Sequence, residues 1–190
     1  MNKLLSYLIT DPKFYTDNPT KLKKFLEIAV NKHKVDMICF RDKKSKNFKS
    51  LSIHFLKKSK NLKISKILIN SNIDIAYRYK FDGVHLPSSK MNLIKQAKRK
   101  KLFVIASTHN FYEIKKAIDL GADMITYSPI FYTPNKGEPK GLKNLRKVVL
   151  KSKIPVIALG GIITKEQINK IKIRKAAGFA SIRYFVNKYW

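Results

Sequence analysis

Residues 102–130 read LFVIASTHNFYEIKKAIDLGADMITYSPI, and this stretch decides the fold. It opens on an apolar run, 102–107, that is rich in Phe, Val and Ile and too short for a helix. Residues 110–120 then place Phe111, Ile114, Ala117 and Ile118 on one helical face, and Gly121 ends the segment. A second apolar run follows at 123–130. Near-continuous apolar strands have both faces buried, as parallel strands do. The whole stretch is therefore predicted to be one strand–helix–strand unit with a parallel crossover.

Working outward, the same unit recurs in both directions. Eight apolar runs are present: LLSYLIT (4–10), VDMICF (35–40), KILIN (66–70), GVHL (83–86), LFVIAS (102–107), DMITYSPI (123–130), IPVIALGG (154–161) and GFASIRY (178–184). Helical periodicity lies between them. Leu22, Phe25, Leu26 and Ala29 share a face in 20–32; Leu93, Ile94 and Ala97 do so in 92–101. Leu142, Leu145, Val148 and Val149 share a face in 141–151, and 164–173 opens with a capping-box pattern from Thr164 to Gln167. Strand–helix alternation of this kind means an α/β fold with a parallel sheet. The prediction is a single (β/α)8 TIM barrel with shortened helices, spanning residues 1–190; an open doubly wound sheet is the alternative. A chain of 190 residues is short against the typical length of about 250, so the helices after the third and eighth strands should be brief.

Composition narrows the function classes. The apolar fraction of 44% is that of a globular protein, despite a formal net charge of +29. The single cysteine, Cys39, excludes an internal disulfide and a cysteine-rich zinc site. No run approaches the roughly 18 apolar residues of a membrane helix. The opening MNKLLSYLITD meets Asp11 and Pro12 too soon for a signal peptide, so a cytoplasmic location is expected. The charge consists of 35 lysines and only six arginines, scattered along the chain. Arginine is the residue that reads guanine edges and stacks on bases. The pattern therefore suits solvated helix faces better than a nucleic-acid interface.

In a barrel of this type the active site lies at the C-terminal ends of the strands. Those ends carry Thr10 and Asp11, Arg41 and Lys43, Asn70 and Ser71, then His85, Ser88 and Ser89. Ser107, Thr108 and His109 follow, then Ser128, Gly160 and Gly161, and finally Ser181 and Arg183. A polar, cationic set with few carboxylates suits an anionic, phosphorylated ligand. Gly160 and Gly161 end a buried strand just before a helix, where backbone N–H groups can close on a phosphate. The longest irregular stretch, 131–141, follows the sixth strand and carries Lys136 at its centre. Long loops in compact domains are often lids or binding loops.

Five motifs then occur in order: DGVHL (82–86), ASTH (106–109), GAD (121–123), SPIFYTPNK (128–136) and IPVIALGGI (154–162). With these motifs the chain resembles thiamine-phosphate synthase and its TenI relatives over residues 4–184, which implies a (β/α)8 fold. The resemblance implies a transferase that joins a hydroxymethylpyrimidine pyrophosphate to a thiazole phosphate and releases pyrophosphate. By the same resemblance, Arg41, Lys43 and Lys136 grip pyrophosphate, Asn70 lies in the pyrophosphate and metal region, and Ser107 lies near the pyrimidine. Thr133, Gly160, Gly161 and the backbone near Ile182 match the thiazole-phosphate site. His85 and His109 stand at the mouth either as packing residues or as ligand contacts.

The departures from the pattern carry information too. Two aspartates that hold Mg²⁺ in the synthase correspond here to Ser71 and a position close to Lys90. The usual glutamine two residues before Arg41 is Cys39, and the serine expected after Ile182 is Arg183, which can itself pair with phosphate. Aromatising TenI members use a histidine at the end of the sixth strand; here Pro129 stands there. The resemblance thus implies Mg²⁺ while the missing carboxylates argue against it. It leaves three functions to weigh: a synthase in which lysine charge partly replaces metal charge; a TenI-like thiazole-phosphate-binding protein or tautomerase without condensing activity; and, remotely, a basic nucleic-acid-binding module. Small phosphorylated substrates are the expected partners, with no membrane, and a homodimer is compatible with the resemblance.

Overall fold

The structure, a computed structural model, describes residues 3–186. The first half of the barrel runs β1 (Leu5–Ile9), α1 (Pro12–Tyr15), α2 (Pro19–Lys32), β2 (Met37–Phe40), α3 (Phe48–Ser59), β3 (Lys66–Asn70), α4 (Ile73–Tyr79) and β4 (Gly83–Leu86). A 3-10 segment, Ser88–Leu93, leads into α5 (Ile94–Arg99). The second half runs β5 (Phe103–Thr108), α6 (Phe111–Asp119), β6 (Met124–Tyr127), α7 (Gly141–Lys151), β7 (Val156–Leu159), α8 (Lys165–Ile173) and β8 (Gly178–Ser181). Every neighbouring strand pair is parallel, and β1 closes on β8 with Leu5 opposite Gly178 and Leu8 opposite Ser181. Closure excludes the open doubly wound sheet. Among the described residues no helix is long and apolar enough to cross a membrane.

Strand alternation divides the apolar residues into two cores. Tyr7, Cys39, Leu68, Ile105, Ile157 and Ala180 belong to a small cluster that fills the barrel. Their chain neighbours, such as Leu8, Ile38, Ile69, Val104 and Ala158, belong to the larger cluster between strands and helices, with Leu22, Leu26 and Phe55. The helices read from periodicity form where expected: Asn18 caps α2, Asn110 caps α6, and the capping box of Thr164 and Gln167 starts α8.

Several boundaries differ from the expected ones, each for a local reason. The run 123–130 is strand only to Tyr127, because Pro129 has no N–H to give a ladder. The run 178–184 is strand only to Ser181, whose hydroxyl donates to the Ile162 carbonyl at 2.7 Å. There the chain turns, with Val186 N–H donating to Arg183. The helix α3 lies outside the periodic segments read above; its buried Leu51, Phe55 and Leu56 stand among lysines and serines, and Asn47 gives it no side-chain cap. The helix after β3 is short, at seven residues. Among the described residues no helix follows β8, and residues 187–190 lie outside them.

The N-terminal end of the barrel is tied by a repeated device. Asp36 stands before β2, Asp82 before β4 and Asp123 before β6. Each carboxylate accepts an N–H from the start of the preceding strand: Ser6 to Asp36 at 3.0 Å, Ile67 to Asp82 at 2.6 Å and Val104 to Asp123 at 2.7 Å. A backbone N–H at the rim of a barrel that has no partner there would be left without a ladder bond, and a carboxylate acceptor binds it about twice as strongly as a neutral one. Lys3 and Lys98 neutralise the first and third of these acids. Replacing Asp123 by Ala should lower the unfolding free energy by about 2 kcal/mol, since the buried Val104 N–H loses its charged partner. A urea titration checks this; a change below about 0.5 kcal/mol would show the device to be dispensable.

Candidate active site

The inner positions of the strands lead directly to the C-terminal mouth. Arg41 follows β2, and its guanidinium Nη1 is ion-paired with the carboxylate of Asp11 after β1. Its backbone is fixed as well: Arg41 N–H donates to Thr10 Oγ1 at 2.9 Å. Asp11 in turn caps the short helix α1, accepting from Lys13 N–H at 3.1 Å. Lys43 lies two residues beyond Arg41 and is exposed. Its ammonium titrates below the ordinary lysine value, chiefly because of the Arg41 guanidinium, then partial burial, then Lys136, with Asp11 opposing. Lys43 therefore lies within reach of both the Arg41 and the Lys136 charge, although Lys136 is 93 positions further along the chain.

The floor of this mouth is a hydrogen-bonded row. His85, buried on β4, places Nδ1 3.1 Å from the Tyr7 hydroxyl and Nε2 3.0 Å from the Ser107 hydroxyl. Asn70 Nδ2 donates to the His85 carbonyl at 2.9 Å, and Ser71 Oγ donates to Asn70 Oδ1 at 3.1 Å. Burial first, and the nearby Arg41 charge second, lower the His85 pKa to about 4, so its ring is neutral at pH 7. His109 is fixed differently. Its Nδ1 donates to the Ser128 carbonyl at 2.9 Å and its backbone N–H donates to Glu113 at 2.7 Å, which ties the ends of β5 and β6 together.

The loop after β6 rests on the glycine pair after β7. Gly160 and Gly161 both have positive φ, at 98° and 67°. A Cβ on Gly160 would lie 2.7 Å from Pro129 Cα, and one on Gly161 would lie 2.4 Å from the Tyr132 carbonyl oxygen. Only glycine fits both the conformation and the space. Phe131 N–H donates to the Gly160 carbonyl at 3.1 Å, while Lys140 and Gly141 N–H groups return to Pro129 and Ile130. Thr133, half-buried above Gly160, donates to the Phe131 carbonyl at 3.0 Å. Lys136 is exposed at the loop's tip, and Lys90 and Arg183 are exposed as well. Ile182 is half-buried, and its carbonyl accepts the Tyr15 hydroxyl at 2.9 Å.

A magnesium ion carried on substrate phosphates needs one or two free carboxylates. Asp11 is taken by Arg41 and Lys13, and Asp42 accepts from the Lys44 and Ser45 N–H groups. Among the described residues no group of three or more His, Cys, Asp or Glu side chains could hold a metal ion. The Asp11 carboxylate is thus engaged by protein donors through both oxygens, and Asp42 through Oδ1. Tyr7 is the site residue that reading the strand ends alone overlooks, since it sits one layer below the mouth. Its signal was the inward register of β1, where alternation puts Tyr7 and Ile9 on the barrel side.

Fold and mouth together define a (β/α)8 barrel protein whose open end is cationic. The family model described as thiamine monophosphate synthase matches residues 6–185. The chain is 33% identical to the thiamine-phosphate synthase of Fusobacterium nucleatum, over 93% of this chain and 84% of that one. It is 31% identical to that of Pelagibacter ubique, over 98% and 91%. The solved thiamine phosphate pyrophosphorylase from Pyrococcus furiosus superimposes with a TM-score of 0.81 at 26% identity, covering 95% of this chain and 86% of that one. The chain belongs to the thiamine monophosphate synthase family.

The neutral His85 makes stability depend on pH. Its folded pKa lies below the ordinary 6.5, so as pH falls the unfolded chain takes up a proton that the folded chain refuses until about 4. Stability is therefore lost on acidification, by about 2 kcal/mol from this group between pH 7 and pH 5. Urea midpoints at the two pH values check this: His85→Gln should flatten the difference by about that amount, and an equal drop in both proteins would contradict it.

Proposed function

We propose that the chain, acting as one barrel domain, is a transferase that joins hydroxymethylpyrimidine pyrophosphate to thiazole phosphate and releases pyrophosphate. The observation that carries this reading is the placement of Lys43 beside Arg41 after β2 and within reach of the Lys136 charge, a cationic cluster that an anion would offset. The names of the relatives point to the same reaction. In the step itself the bond between the pyrimidine methylene and the pyrophosphate oxygen breaks, and the electron pair leaves with pyrophosphate. The thiazole nitrogen then supplies a lone pair to the methylene carbon. The protein's part is to hold both substrates in line and to receive the negative charge that develops on the leaving group.

Arg41 serves as the fixed donor, held in place by Asp11 and Thr10. Lys43 and Lys136 supply mobile charge from two sides. Ser107 and Asn70 contact the pyrimidine and its pyrophosphate, while Thr133, Gly160, Gly161 and the backbone at Ile182 hold the thiazole phosphate, with Arg183 at its outer edge. His85 and His109 place these groups. We read Ser71 and Lys90 as standing where metal-binding aspartates would be, so that lysine charge does part of the work of a metal. The absence of a group of acidic or imidazole ligands also favours a second reading, a TenI-like protein that binds the thiazole phosphate without condensing it.

The test is a two-substrate assay with and without Mg²⁺. The expected result is thiamine phosphate formation that chelation slows only weakly, and a loss of about 10²–10³ in kcat/KM for Arg41→Ala. No product under either metal condition would sink the transferase. Calorimetric binding of thiazole phosphate without pyrimidine pyrophosphate binding would leave the second reading standing.

A further inference from the structure

We propose that the groove between α7 and α8, on the outer wall of the barrel and apart from the mouth, binds a condensed-phosphate chain, with Arg146 and Arg174 as its inner donors and Lys143 and Lys147 at its edge. This does not rest on the transferase reading.

The groove has a volume of about 390 Å³ and is lined by Lys143, Arg146, Lys147, Ile173 and Arg174. Four of these five side chains are cations and none is an acid. The helix α7 carries no acid at all, and the one acid of α8, Glu166, is ion-paired with Lys170. The fold puts the two arginines together. α8 runs back from the end of β7 toward the start of β8, so Arg174 closes it near the N-terminal rim. Arg146 reaches across from α7, and its Nη1 donates to the Arg174 carbonyl at 3.4 Å.

These arginines set the groove apart from the scattered lysines. Three of the chain's six arginines are half-buried: Arg41, Arg146 and Arg174. Arg41 has the Asp11 carboxylate beside it. Among the described residues neither Arg146 nor Arg174 has an ion pair, and the Arg174 guanidinium donates to no protein acceptor. A guanidinium offers five N–H donors in a fixed fork. Drawing such a group partly out of water without a counter-charge costs free energy. An anion in the groove supplies the missing acceptors and the missing charge together, and phosphate oxygens match the arginine fork two at a time.

The spacing selects a chain of phosphates over a single one. Lys143 and Lys147 stand one helical turn apart, about 6 Å along α7. Arg146 lies between them in sequence and Arg174 faces them from α8. Linked phosphates can satisfy cations spread in this way, whereas one phosphate group satisfies a pair. Ile173, 68% exposed, borders the groove and adds an apolar surface beside the cations. A nucleoside triphosphate and inorganic polyphosphate share the required chemistry, and only the first has a base to lay over Ile173.

The experiment is calorimetric titration of the full chain carrying Arg41→Ala, which weakens anion binding at the mouth. It is run at 0.15 M salt, where exposed charges are screened beyond about 8 Å. The probes are inorganic tripolyphosphate, ATP and orthophosphate. Tripolyphosphate should bind at least about tenfold more tightly than orthophosphate. Arg174→Gln should weaken it at least about tenfold, and so should Lys143→Gln with Lys147→Gln, an exposed pair whose loss leaves the packing intact. Lys95→Gln with Lys116→Gln removes the same charge from exposed positions on α5 and α6 and should change binding by less than about twofold. Equal losses in the groove and control pairs, unchanged binding in the groove variants, or no binding of either chain overturns the site. Binding of a short single-stranded RNA where tripolyphosphate fails overturns it in favour of a nucleic-acid surface. Tighter binding of ATP, with the advantage lost in Ile173→Ser, upholds the site and assigns it to a nucleotide; equal affinity upholds it and assigns it to the inorganic chain. No arm uses the condensation reaction, so failure of the groove and failure of the transferase are separate results.

Discussion

Closure of β1 against β8 is the constraint on which the rest depends. Once Leu5 pairs with Gly178 and Leu8 with Ser181, every strand must send alternate side chains into one enclosed space. That single fact makes Tyr7, Cys39, His85 and Ser107 neighbours, although they come from four strands spread over a hundred residues. It also aims Arg41, Asn70 and Gly161 at a common mouth. An open sheet with the same strands would have left β1 and β8 at opposite edges, and Asp11 and Tyr15 would have had no fixed relation to Ile182.

Three of the chain's twelve acids serve this closure rather than the chemistry. Asp36, Asp82 and Asp123 bind strand-end N–H groups at the N-terminal rim, on alternate strand pairs. Asp11 is given to Arg41, and Asp42 to the turn after β2. The cationic end and the acid-tied end are thus opposite ends of one barrel. The end that must hold its shape is pinned by charged hydrogen bonds, while the end that faces an anion keeps its cations largely unneutralised.

Much of this was legible in the sequence. Apolar runs too short for helices, alternating with helical periodicity, specify strands and crossovers, and eight of them specify a barrel. The cationic residues at the mouth could be read from strand ends alone. The rest was hidden for identifiable reasons. The helix α3 shows little periodicity because its buried face includes Ser52 and Ser59 beside Leu51, Phe55 and Leu56. The rim aspartates look like solvated charges, since what they bind is a backbone N–H of a different strand. Tyr7 looks like an ordinary apolar strand residue, because only register shows which layer of the barrel it enters. His109 and His85 look alike in the sequence, yet one fastens two strands and the other anchors a row of hydroxyls.

The lone cysteine has a consequence of its own. Cys39 is fully enclosed by the barrel, and its thiol is pushed up to about 12. In the closed molecule it is therefore shielded from a thiol reagent by sterics and also by protonation. No second cysteine competes with it. Its alkylation can proceed only when strands part, so the rate at which this one sulfur is modified times the opening of the barrel itself. The chain carries a built-in clock for its own breathing, set among the side chains that fill the barrel.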